Sequence, residues 1–529
     1  MAAERSFYVT TPIYYVNDAP HIGHAYTSMA CDVLARFMRL DGMRVKFLTG
    51  TDEHGQKVEK SARAQGMEPK AFCDKMSVNF KALGELLNLS NDDYIRTTEP
   101  RHYKASQAIW QAIAGRKSPK GRDNIYLDNY GGWYAVRDEA FYAESELKDG
   151  PGGKKLAPSG AEVEWVEEPS YFFRLSDWQD ALLEHYEKNP DFIGPASRRN
   201  EVLGFVKGGL ADLSISRTTF SWGVPVPNAP GHIMYVWLDA LTNYLTAVGY
   251  PDVKSDQYSE FWPVVLHVVG KDILRFHAVY WPAFLMAAGL PAPKRVFAHG
   301  WLLNKGEKMS KSLGNVIRPK DLIAQYGLDP VRYYLLREVP FGSDGYISHE
   351  TMAGRINGDL ANDFGNLAQR VLSMIAKNCG AKLPEAGPLA DADKVLLGAA
   401  EALLAEVRPL VAEQQAFHRA LEAIWRVVGQ ANRYVDEQAP WALRKTDPKR
   451  METVLYVLAE CVRHLATLTQ PFMPAASAKL LDQLAVPATA RGFASLGQAG
   501  RLKGGVELPA PAGVFPRYVE AEPETKAAR

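Results

Sequence analysis

Two short segments of this chain carry residue types suited to binding a polyphosphate. His21-Ile22-Gly23-His24 follows a predicted strand and opens a predicted helix, and Lys308-Met309-Ser310-Lys311-Ser312 lies between glycine-containing stretches. A helix N-terminus offers unpaired N–H groups and a positive dipole end to a phosphate, and two imidazoles add further donors. Two lysines on a flexible loop can neutralise the charge that develops on a departing pyrophosphate. Together the segments predict transfer chemistry on a nucleoside triphosphate.

Each segment taken alone also has an ordinary structural interpretation. Paired histidines can lie on the exposed first turn of a helix, and a lysine-rich segment can be a solvated loop. Residues 294–338 contain nine Lys or Arg against four Asp or Glu, which fits either a phosphate-binding patch or a solvated charged face. The occurrence of both segments, in this order on one predicted fold, favours the catalytic interpretation.

The elements predicted around these segments indicate an α/β fold. Residues 7–11 and 45–48 are rich in strand formers, and residues 29–40 have helical spacing with Gly42 as a C-cap. Residues 264–269 form a nearly continuous apolar run, typical of a strand buried on both faces of a parallel sheet. Strands alternating with helices predict a doubly wound, Rossmann-type domain with ligands at the carboxyl ends of its strands.

A chain of 529 residues is longer than one ordinary domain, so we predict several. The predicted regions are the first half of the Rossmann catalytic domain at 1–116, a β-rich insertion at 117–226, the second half at 227–303, the lysine loop and its surroundings at 304–350, an α-helical bundle at 351–515 and a tail at 516–529. Glycine, proline and aromatic residues mark the insertion. Apolar residues at helical spacing between Val454 and Leu468 indicate the bundle.

Composition narrows the cellular setting. Lys plus Arg and Asp plus Glu each number 61, so net charge argues neither for nor against a nucleic-acid partner. The four cysteines include no C-x-x-C pair, which argues against a thiolate zinc knuckle or a disulfide framework and favours a reducing cytosol. No stretch approaches the roughly 18 apolar residues of a membrane span, and the N-terminus lacks the apolar core of a signal peptide. We therefore expect a cytoplasmic protein with no membrane partner.

The two segments resemble the paired HIGH and KMSKS signatures of class I aminoacyl-tRNA synthetases. Four further blocks, at 10–17, 49–55, 235–240 and 270–277, look like those of the methionyl-tRNA synthetases, and the similarity runs to about residue 517. The resemblance implies ATP-dependent attachment of L-methionine to initiator and elongator tRNA(Met) through methionyl-adenylate, with Mg²⁺ accompanying ATP. Synthetases for leucine, isoleucine and valine carry a large editing domain for which this chain leaves little room. Cysteine enzymes bind zinc through thiolates that are missing here.

The resemblance also implies roles for individual residues. The implied catalytic residues are His21, His24, Lys308 and Lys311. The implied ATP-binding residues are His21, Gly23, His24, Gly270, Asp272, Lys308, Ser310 and Lys311, with Asp272 reaching the ribose. Asp52 would bind the methionine ammonium, and the residues lining the methionine pocket would be Ile13, Tyr15, Trp237, Ala240, Leu241, Tyr244, Ile273 and His277. A polarizable thioether gains from contact with such aromatic edges.

In the helical domain, the resemblance implies an anticodon-reading site. Asn366 and Arg370 match positions that hydrogen-bond the first anticodon base, and Trp441 matches a position that stacks on an unstacked base. By residue type alone, Trp441 is more often a buried residue of a helical bundle.

Two features of the family are not carried over to this chain. Many relatives hold zinc through cysteines in the insertion, but the matching stretch at 133–138 and the rest of the insertion contain no cysteine, so no structural zinc is expected. Some relatives add a C-terminal dimerising domain. Because few residues follow Phe515, we expect a monomer.

Two other functions are compatible with parts of this pattern. A different nucleotidylyltransferase could share the H-x-G-H segment, but it would not need a long helical domain carrying a reader such as Trp441. A non-catalytic RNA-binding or regulatory relative would be expected to lose a lysine of the KMSKS segment or a histidine of the HIGH segment. All four of these residues are present.

Overall fold

The computed structural model of the chain describes residues 5–16, 19–138, 140–142, 144–304, 307–308 and 317–520. They fall into two units. The first contains Ser6–Cys31 and Val45–His299, and the second contains Asp32–Arg44 and the chain from Gly300 onward. In the part of the chain that is described, no helix is both long and apolar enough to cross a membrane.

The first unit combines strands and helices along the chain. Its strands are β1 (Ser6–Thr10), β2 (Tyr14–Tyr15), β3 (Arg44–Asp52), β4 (Asp93–Arg96), β5 (Ile125–Ala135), β6 (Ala140–Tyr142), β7 (Lys148–Asp149), β8 (Lys155–Leu156), β9 (Glu164–Phe173), β10 (Ile193–Gly194), β11 (Leu213–Ser214), β12 (Ser216–Arg217), β13 (Ile233–Met234), β14 (Val265–Gly270) and β15 (Arg295–His299). Its helices are α1 (Ile22–Leu40), which continues into the second unit, α2 (Gln56–Ala64), α3 (Pro69–Leu86), α4 (Pro100–Ala114), α5 (Gln179–Lys188), α6 (Ala196–Lys207), α7 (Val236–Thr246), α8 (Asp256–Phe261) and α9 (Trp281–Ala288).

A parallel sheet forms the centre of this unit. Its strand order is β10-β15-β14-β1-β3-β2, with β4 also paired to β3, and each of these pairings is parallel where its register is defined. β14 is buried along most of its length, as its apolar run predicts. Because chain order reverses on the two sides of β1, ligands are expected at the carboxyl edge beside this strand. The predicted α/β fold is confirmed.

The predicted insertion at 117–226 is β-rich only in part. Four of its strands form an antiparallel sheet in the order β11-β9-β5-β6. The same stretch also contains α5 and α6, and β10 pairs in parallel with β15 of the central sheet. The helices form because Leu182 with Tyr186, and Val202 with Val206, recur at a spacing of four and are buried. The prediction of a β-rich insertion rested on its glycine, proline and aromatic content, which does not reveal this helical periodicity.

The second unit is mainly helical, as predicted. Its strands are β16 (Leu302–Asn304), β17 (Glu307–Lys308) and β18 (Gly345–Ile347), which form a small sheet in the order β17-β16-β18. Its helices are α10 (Pro319–Tyr326), α11 (Leu328–Glu338), α12 (His349–Arg355), α13 (Asn366–Asn378), α14 (Asp391–Ala412), α15 (Phe417–Gln438), α16 (Pro440–Thr446), α17 (Pro448–Thr469) and α18 (Pro474–Gln483), with a π-helical segment at Ile356–Gly365 between α12 and α13. The apolar face predicted between Val454 and Leu468 is buried along α17.

The second half of α1 belongs to this second unit, whereas the sequence prediction placed all of 1–116 in one domain. The fully buried guanidinium of Arg332 on α11 donates to Asp32 Oδ2 at 2.7 Å. It also donates to the carbonyl oxygens of Phe472 and Pro471, both at 2.9 Å. The spacing of apolar residues along α1 could not predict an ion pair with a residue 300 positions away. α1 ends as predicted, with Gly42 in the left-handed region at φ 77°.

Arg332→Met is expected to lower the free energy of unfolding of the second unit by about 3 kcal/mol, because it leaves buried acceptors without a donor. This value lies at the lower end of the usual range since Arg36 also donates to Asp32. Urea denaturation followed by circular dichroism measures the change. The control is Arg318→Met, which removes an exposed ion pair with Asp321 and should cost less than about 1 kcal/mol. Equal losses in the two variants would contradict the assignment.

Candidate active site

The predicted phosphate-binding turn has a defined arrangement of its two imidazoles. The rings of His21 and His24 are stacked, with centroids 3.8 Å apart. The His21 N–H donates to Nδ1 of His24 at 3.1 Å, and the Gly23 N–H donates to Nδ1 of His21 at 3.1 Å. Because each Nδ1 accepts a hydrogen bond, each neutral ring carries its proton on Nε2. Nε2 is thereby the nitrogen that can donate to a phosphate oxygen.

His24 is held in its neutral form by its surroundings. Its half-buried ring makes edge contacts with Tyr14, at a centroid distance of 4.7 Å, and with Phe80, at 5.5 Å. Burial, reinforced by the adjacent His21, lowers the pKa of His24 well below its ordinary value. His24 is therefore a hydrogen-bond donor at physiological pH rather than a cation.

The first turn of α1 is fixed to the end of β15. A Cβ atom on Gly23 would lie 2.9 Å from Cε1 of His21, so a larger residue here would displace the His21 ring from its present position. Thr27 Oγ1 donates to the Gly23 carbonyl at 3.1 Å and lies 2.7 Å from His299 Nε2. Since the Thr27 hydroxyl has one proton, His299 is the donor in the second bond. His299 was not singled out from the sequence.

The predicted ATP residues Gly270 and Asp272 lie at the same edge of the sheet. Gly270 ends β14 and is in register with His299 at the end of β15. Asp272 follows in a short 3₁₀ turn and is exposed. A Cβ atom on Gly270 would lie 2.5 Å from Asp272 Oδ1, so glycine allows this carboxylate to fold back over the strand end.

Asp52 ends β3 as a buried carboxylate. It is in register with Tyr15 of β2, whose hydroxyl donates to the carbonyl oxygen of His54 at 3.0 Å. A buried carboxylate at a strand end can bind an ammonium group through a charge-assisted hydrogen bond. Its position suits the predicted role toward the substrate amine.

One face of α7 carries four of the residues predicted for the methionine pocket. These four recur along it at helical spacing: Trp237, Ala240, Leu241 and Tyr244. Ile13 packs with Trp237 and Ala240 in a small apolar cluster. The Trp237 ring also stacks on Phe276, with centroids 3.4 Å apart and ring planes 7° apart. Phe276 was missed by the sequence analysis, although it directly precedes the predicted His277.

His277 contacts two other residues predicted for the pocket, Ile273 and Tyr244. Its Nδ1 lies 2.9 Å from the carbonyl oxygen of Ile273, and its Nε2 lies 2.7 Å from the Tyr244 hydroxyl. A carbonyl oxygen only accepts, so Nδ1 carries the proton and Nε2 accepts from Tyr244. Burial lowers the pKa of His277 to about 4, so the ring is neutral. The His277 ring therefore offers no charge to a group that binds beside it.

The lysine segment is described only at its start. The backbone of Lys308 ends β17 and pairs with Leu303 of β16. Ser310 and Lys311 lie outside the described residues. Their predicted roles therefore stand on the sequence.

The three predicted anticodon-reading residues lie in one region of the second unit. Asn366 is exposed at the start of α13, and Arg370 follows one helical turn later. Arg370 donates to Asp436 Oδ1 at 2.9 Å, and its guanidinium carbon lies 5.7 Å from the centroid of the Trp441 ring. Trp441 is 52% exposed, so the interpretation of this residue as buried bundle core is wrong.

Zinc content stays a prediction from the missing cysteines of the insertion. Across the described ranges, no group of three or more His, Cys, Asp or Glu is placed to hold a metal ion. We expect purified protein to contain no stoichiometric zinc and to keep its activity after chelation once Mg²⁺ is restored. Elemental analysis that finds about one zinc per chain would refute this prediction.

Comparisons with known proteins find relatives that match nearly the whole chain. A family model described as "tRNA synthetases class I (M)" matches residues 7–372, and one described as "Anticodon binding domain of methionyl tRNA ligase" matches residues 383–529. A methionine–tRNA ligase of Rhizobium meliloti (strain 1021) is 60% identical over 516 residues, covering 98% of this chain and 99% of that protein. The solved structure of Mycobacterium tuberculosis methionyl-tRNA synthetase in complex with methionyl-adenylate is similar with a TM-score of 0.93 at 54% identity, covering 97% of this chain and 100% of that one.

Proposed function

This chain belongs to the methionine-specific family of class I tRNA synthetases. We propose that it activates methionine between the turn at residues 21–24 and the face of α7 that carries Trp237 and Tyr244. The protein catalyses the ATP-dependent charging of tRNA with methionine through methionyl-adenylate. One observation supports the residue assignments above all. Residues predicted for ATP and for methionine come from separate stretches of sequence, yet Gly270 at the end of β14 and Asp52 at the end of β3 both lie at the carboxyl edge of one parallel sheet.

In the first step, a carboxylate oxygen of methionine attacks the α-phosphorus of ATP, and the bond to pyrophosphate breaks. The attacking carboxylate is already ionised, so no general base is required. His21 and His24 donate from Nε2 to phosphate oxygens, and Lys308 and Lys311 neutralise the charge that grows on pyrophosphate. Mg²⁺ enters with ATP, held by its phosphate oxygens.

In the second step, the terminal ribose hydroxyl of tRNA attacks the carbonyl carbon of methionyl-adenylate. The bond to AMP breaks, AMP leaves, and the hydroxyl proton passes to solvent. No covalent intermediate with the enzyme forms, so the side chains contribute by positioning and by stabilising charge.

The two ends of the methionine pocket have different roles, and only the end that contacts the side chain selects methionine. Asp52 binds the ammonium group that every amino acid carries, so it orients the substrate without choosing among side chains. The stacked Trp237 and Phe276 rings, with Tyr244 beside neutral His277, form a polarizable surface for a thioether.

Charging of tRNA tests the proposed function as a whole. Purified protein with ATP is expected to attach methionine, and not leucine or isoleucine, to a tRNA that carries a methionine anticodon. The matched control is the same tRNA with its first anticodon base changed, which should be charged poorly because Asn366 and Arg370 read that base. Charging with another amino acid, or equal charging of both tRNAs, would contradict the proposal.

We expect the protein to be a monomer in the cytoplasm, where its free cysteines stay reduced. The most exposed large apolar residues of the described part lie on different elements, for example Val78 on α3, Leu127 on β5 and Val395 on α14. Obligate dimers instead bury continuous apolar interfaces, often of about 2,000 Å² or more. Light scattering at micromolar concentration should give the chain mass of 58.6 kDa, and twice that mass would contradict this expectation.

A further inference from the structure

A buried carboxylate in the first turn of α7 bridges two histidines from separate elements. Asp239 Oδ2 lies 2.6 Å from His54 Nδ1, and Asp239 Oδ1 lies 2.6 Å from His102 Nε2. Asp239 and His102 are fully buried, and His54 is 1% exposed. We call these three residues the α7 clamp. None of them has a role in the proposed chemistry.

The carboxylate of the clamp is ionised. Burial alone would raise the pKa of Asp239, but His54 and His102 outweigh burial and hold it well below its ordinary value. Tyr103 places its hydroxyl 3.0 Å from His54 Nε2, and its pKa is raised to about 12, mainly by burial. Tyr103 therefore keeps its proton and can donate it to Nε2, while Nδ1 of His54 donates to Asp239. Both carboxylate oxygens thus accept short, charge-assisted hydrogen bonds.

The clamp joins the two sides of the methionine pocket. His54 follows Asp52 by two positions, and its carbonyl oxygen accepts from the Tyr15 hydroxyl. Asp239 lies on α7 directly before Ala240, in the helix that carries the apolar pocket face. The clamp therefore links the element that would bind the substrate ammonium to the helix that would contact its side chain.

His102 holds α7 at both ends. Its Nε2 faces Asp239 in the first turn, and its Nδ1 lies 3.1 Å from Thr246 Oγ1 in the last residue of the helix. His102 itself belongs to α4, which packs along α7. Two polar contacts seven residues apart restrict sliding and rotation of the helix, which apolar packing alone would tolerate.

A buried carboxylate bridged by two histidines needs a reason other than stability. Well-packed apolar residues of similar size would join α4 and α7 with equal or greater stability, because burying a charge costs desolvation energy. Hydrogen bonds of fixed length and direction instead determine geometry. Groups that bind a substrate at two ends need such support, since a displacement of about 1 Å can cost on the order of 100-fold in activity.

We propose that Asp239, held by His54 and His102, is a positioning residue that sets the distance between Asp52 and the α7 face of the methionine pocket. This inference rests on the proposed function, because it concerns the pocket of that reaction. Asp239 acts through the elements that it joins, and its bonds are directed to His54 and His102. The substrate parameter it should control is therefore the KM for methionine and not that for ATP.

The first test is Asp239→Asn, which keeps the side-chain shape but removes the charge and one acceptor. In ATP–pyrophosphate exchange we expect the KM for methionine to rise on the order of ten- to 100-fold, with the KM for ATP within about twofold of the unmodified protein. The matched control is Asp177→Asn in the insertion, where another buried carboxylate accepts from Ser118 and Arg122. This control should lower the melting temperature and leave both KM values unchanged.

A second pair of variants separates positioning from folding. His102→Leu removes the donor to Asp239 and should raise the KM for methionine as Asp239→Asn does. His102→Gln keeps an N–H donor and should return the KM to within about threefold of the unmodified protein. If Asp239→Asn does not fold, the difference between these two variants decides the question.

Two outcomes would overturn the inference. One is a lower melting temperature in Asp239→Asn and His102→Leu without a selective rise in the KM for methionine. The other is an equal rise in the KM values for methionine and ATP. Failure of the proposed function would look different, because the unmodified protein would then show no methionine-dependent exchange.

Discussion

Replacing Lys311 with alanine is expected to slow methionyl-adenylate formation by on the order of 10²–10³-fold, the usual loss when one group that stabilises transition-state charge is removed. The KM for methionine should barely change, because Lys311 is assigned to the departing pyrophosphate and not to the amino acid. ATP–pyrophosphate exchange and single-turnover adenylate formation measure the two quantities. This prediction stands on the KMSKS sequence, since Lys311 lies outside the described residues.

Lys320→Ala is the matched control for Lys311→Ala. Lys320 belongs to the same basic stretch and is exposed on α10, so its loss removes an equal charge from the region. A solvated basic face would respond similarly to either substitution, whereas a lysine aimed at pyrophosphate would not. Exchange by Lys311→Ala within about threefold of the unmodified protein would contradict the assigned role.

Trp441→Ala is expected to reduce the efficiency of tRNA charging roughly five- to 150-fold, since stacking on a base is worth about 1–3 kcal/mol. The exposed Trp441 residue lies beside Arg370, and Asn366 precedes Arg370 by one turn of α13. This set of residues suits the reading of unstacked anticodon bases. Methionine activation without tRNA should stay near normal, because Trp441 is not among the residues assigned to ATP or to methionine. The measurements are aminoacylation kinetics and ATP–pyrophosphate exchange on the same preparation.

Trp165→Ala is the control for this variant, because Trp165 is also 52% exposed but lies on β9 of the insertion. It should leave both charging and exchange unchanged. Normal charging by Trp441→Ala would refute the anticodon role. A loss of exchange equal to the loss of charging would instead point to general damage to the fold.

The sequence predicted the elements whose pattern is local. The apolar run of β14 and the helical spacing of α1 each lie within one stretch of chain, and both are confirmed. The face of α7 that carries Trp237 and Tyr244 is likewise a matter of spacing within one helix, once the resemblance has marked the segment.

Features that depend on distant partners could not be predicted. Asp239 is separated from His54 by 185 positions and from His102 by 137, so no local pattern joins them. A signal did exist, because an acidic residue inside an apolar helix needs a partner when it is buried. Sequence alone does not say which histidine supplies that partner. The attachment of the second half of α1 to Arg332 was hidden for the same reason.

Exposure of single aromatic residues was also beyond the sequence. Trp441 lies on the short α16, where a few residues do not define an apolar face. Residue type therefore favoured burial, while the resemblance favoured a reader of bases. The structure decides for exposure, and the role in reading bases is left to the Trp441→Ala experiment.

The most direct test of the central claim is ATP–pyrophosphate exchange by the purified chain, with Mg²⁺ and without tRNA, for methionine and for a panel of other amino acids. The account predicts exchange that depends on methionine and is not supported by leucine, isoleucine, valine or cysteine. A different nucleotidylyltransferase would show no dependence on methionine, and a non-catalytic relative would show no exchange. Either result, or equal exchange with another amino acid, would contradict the account.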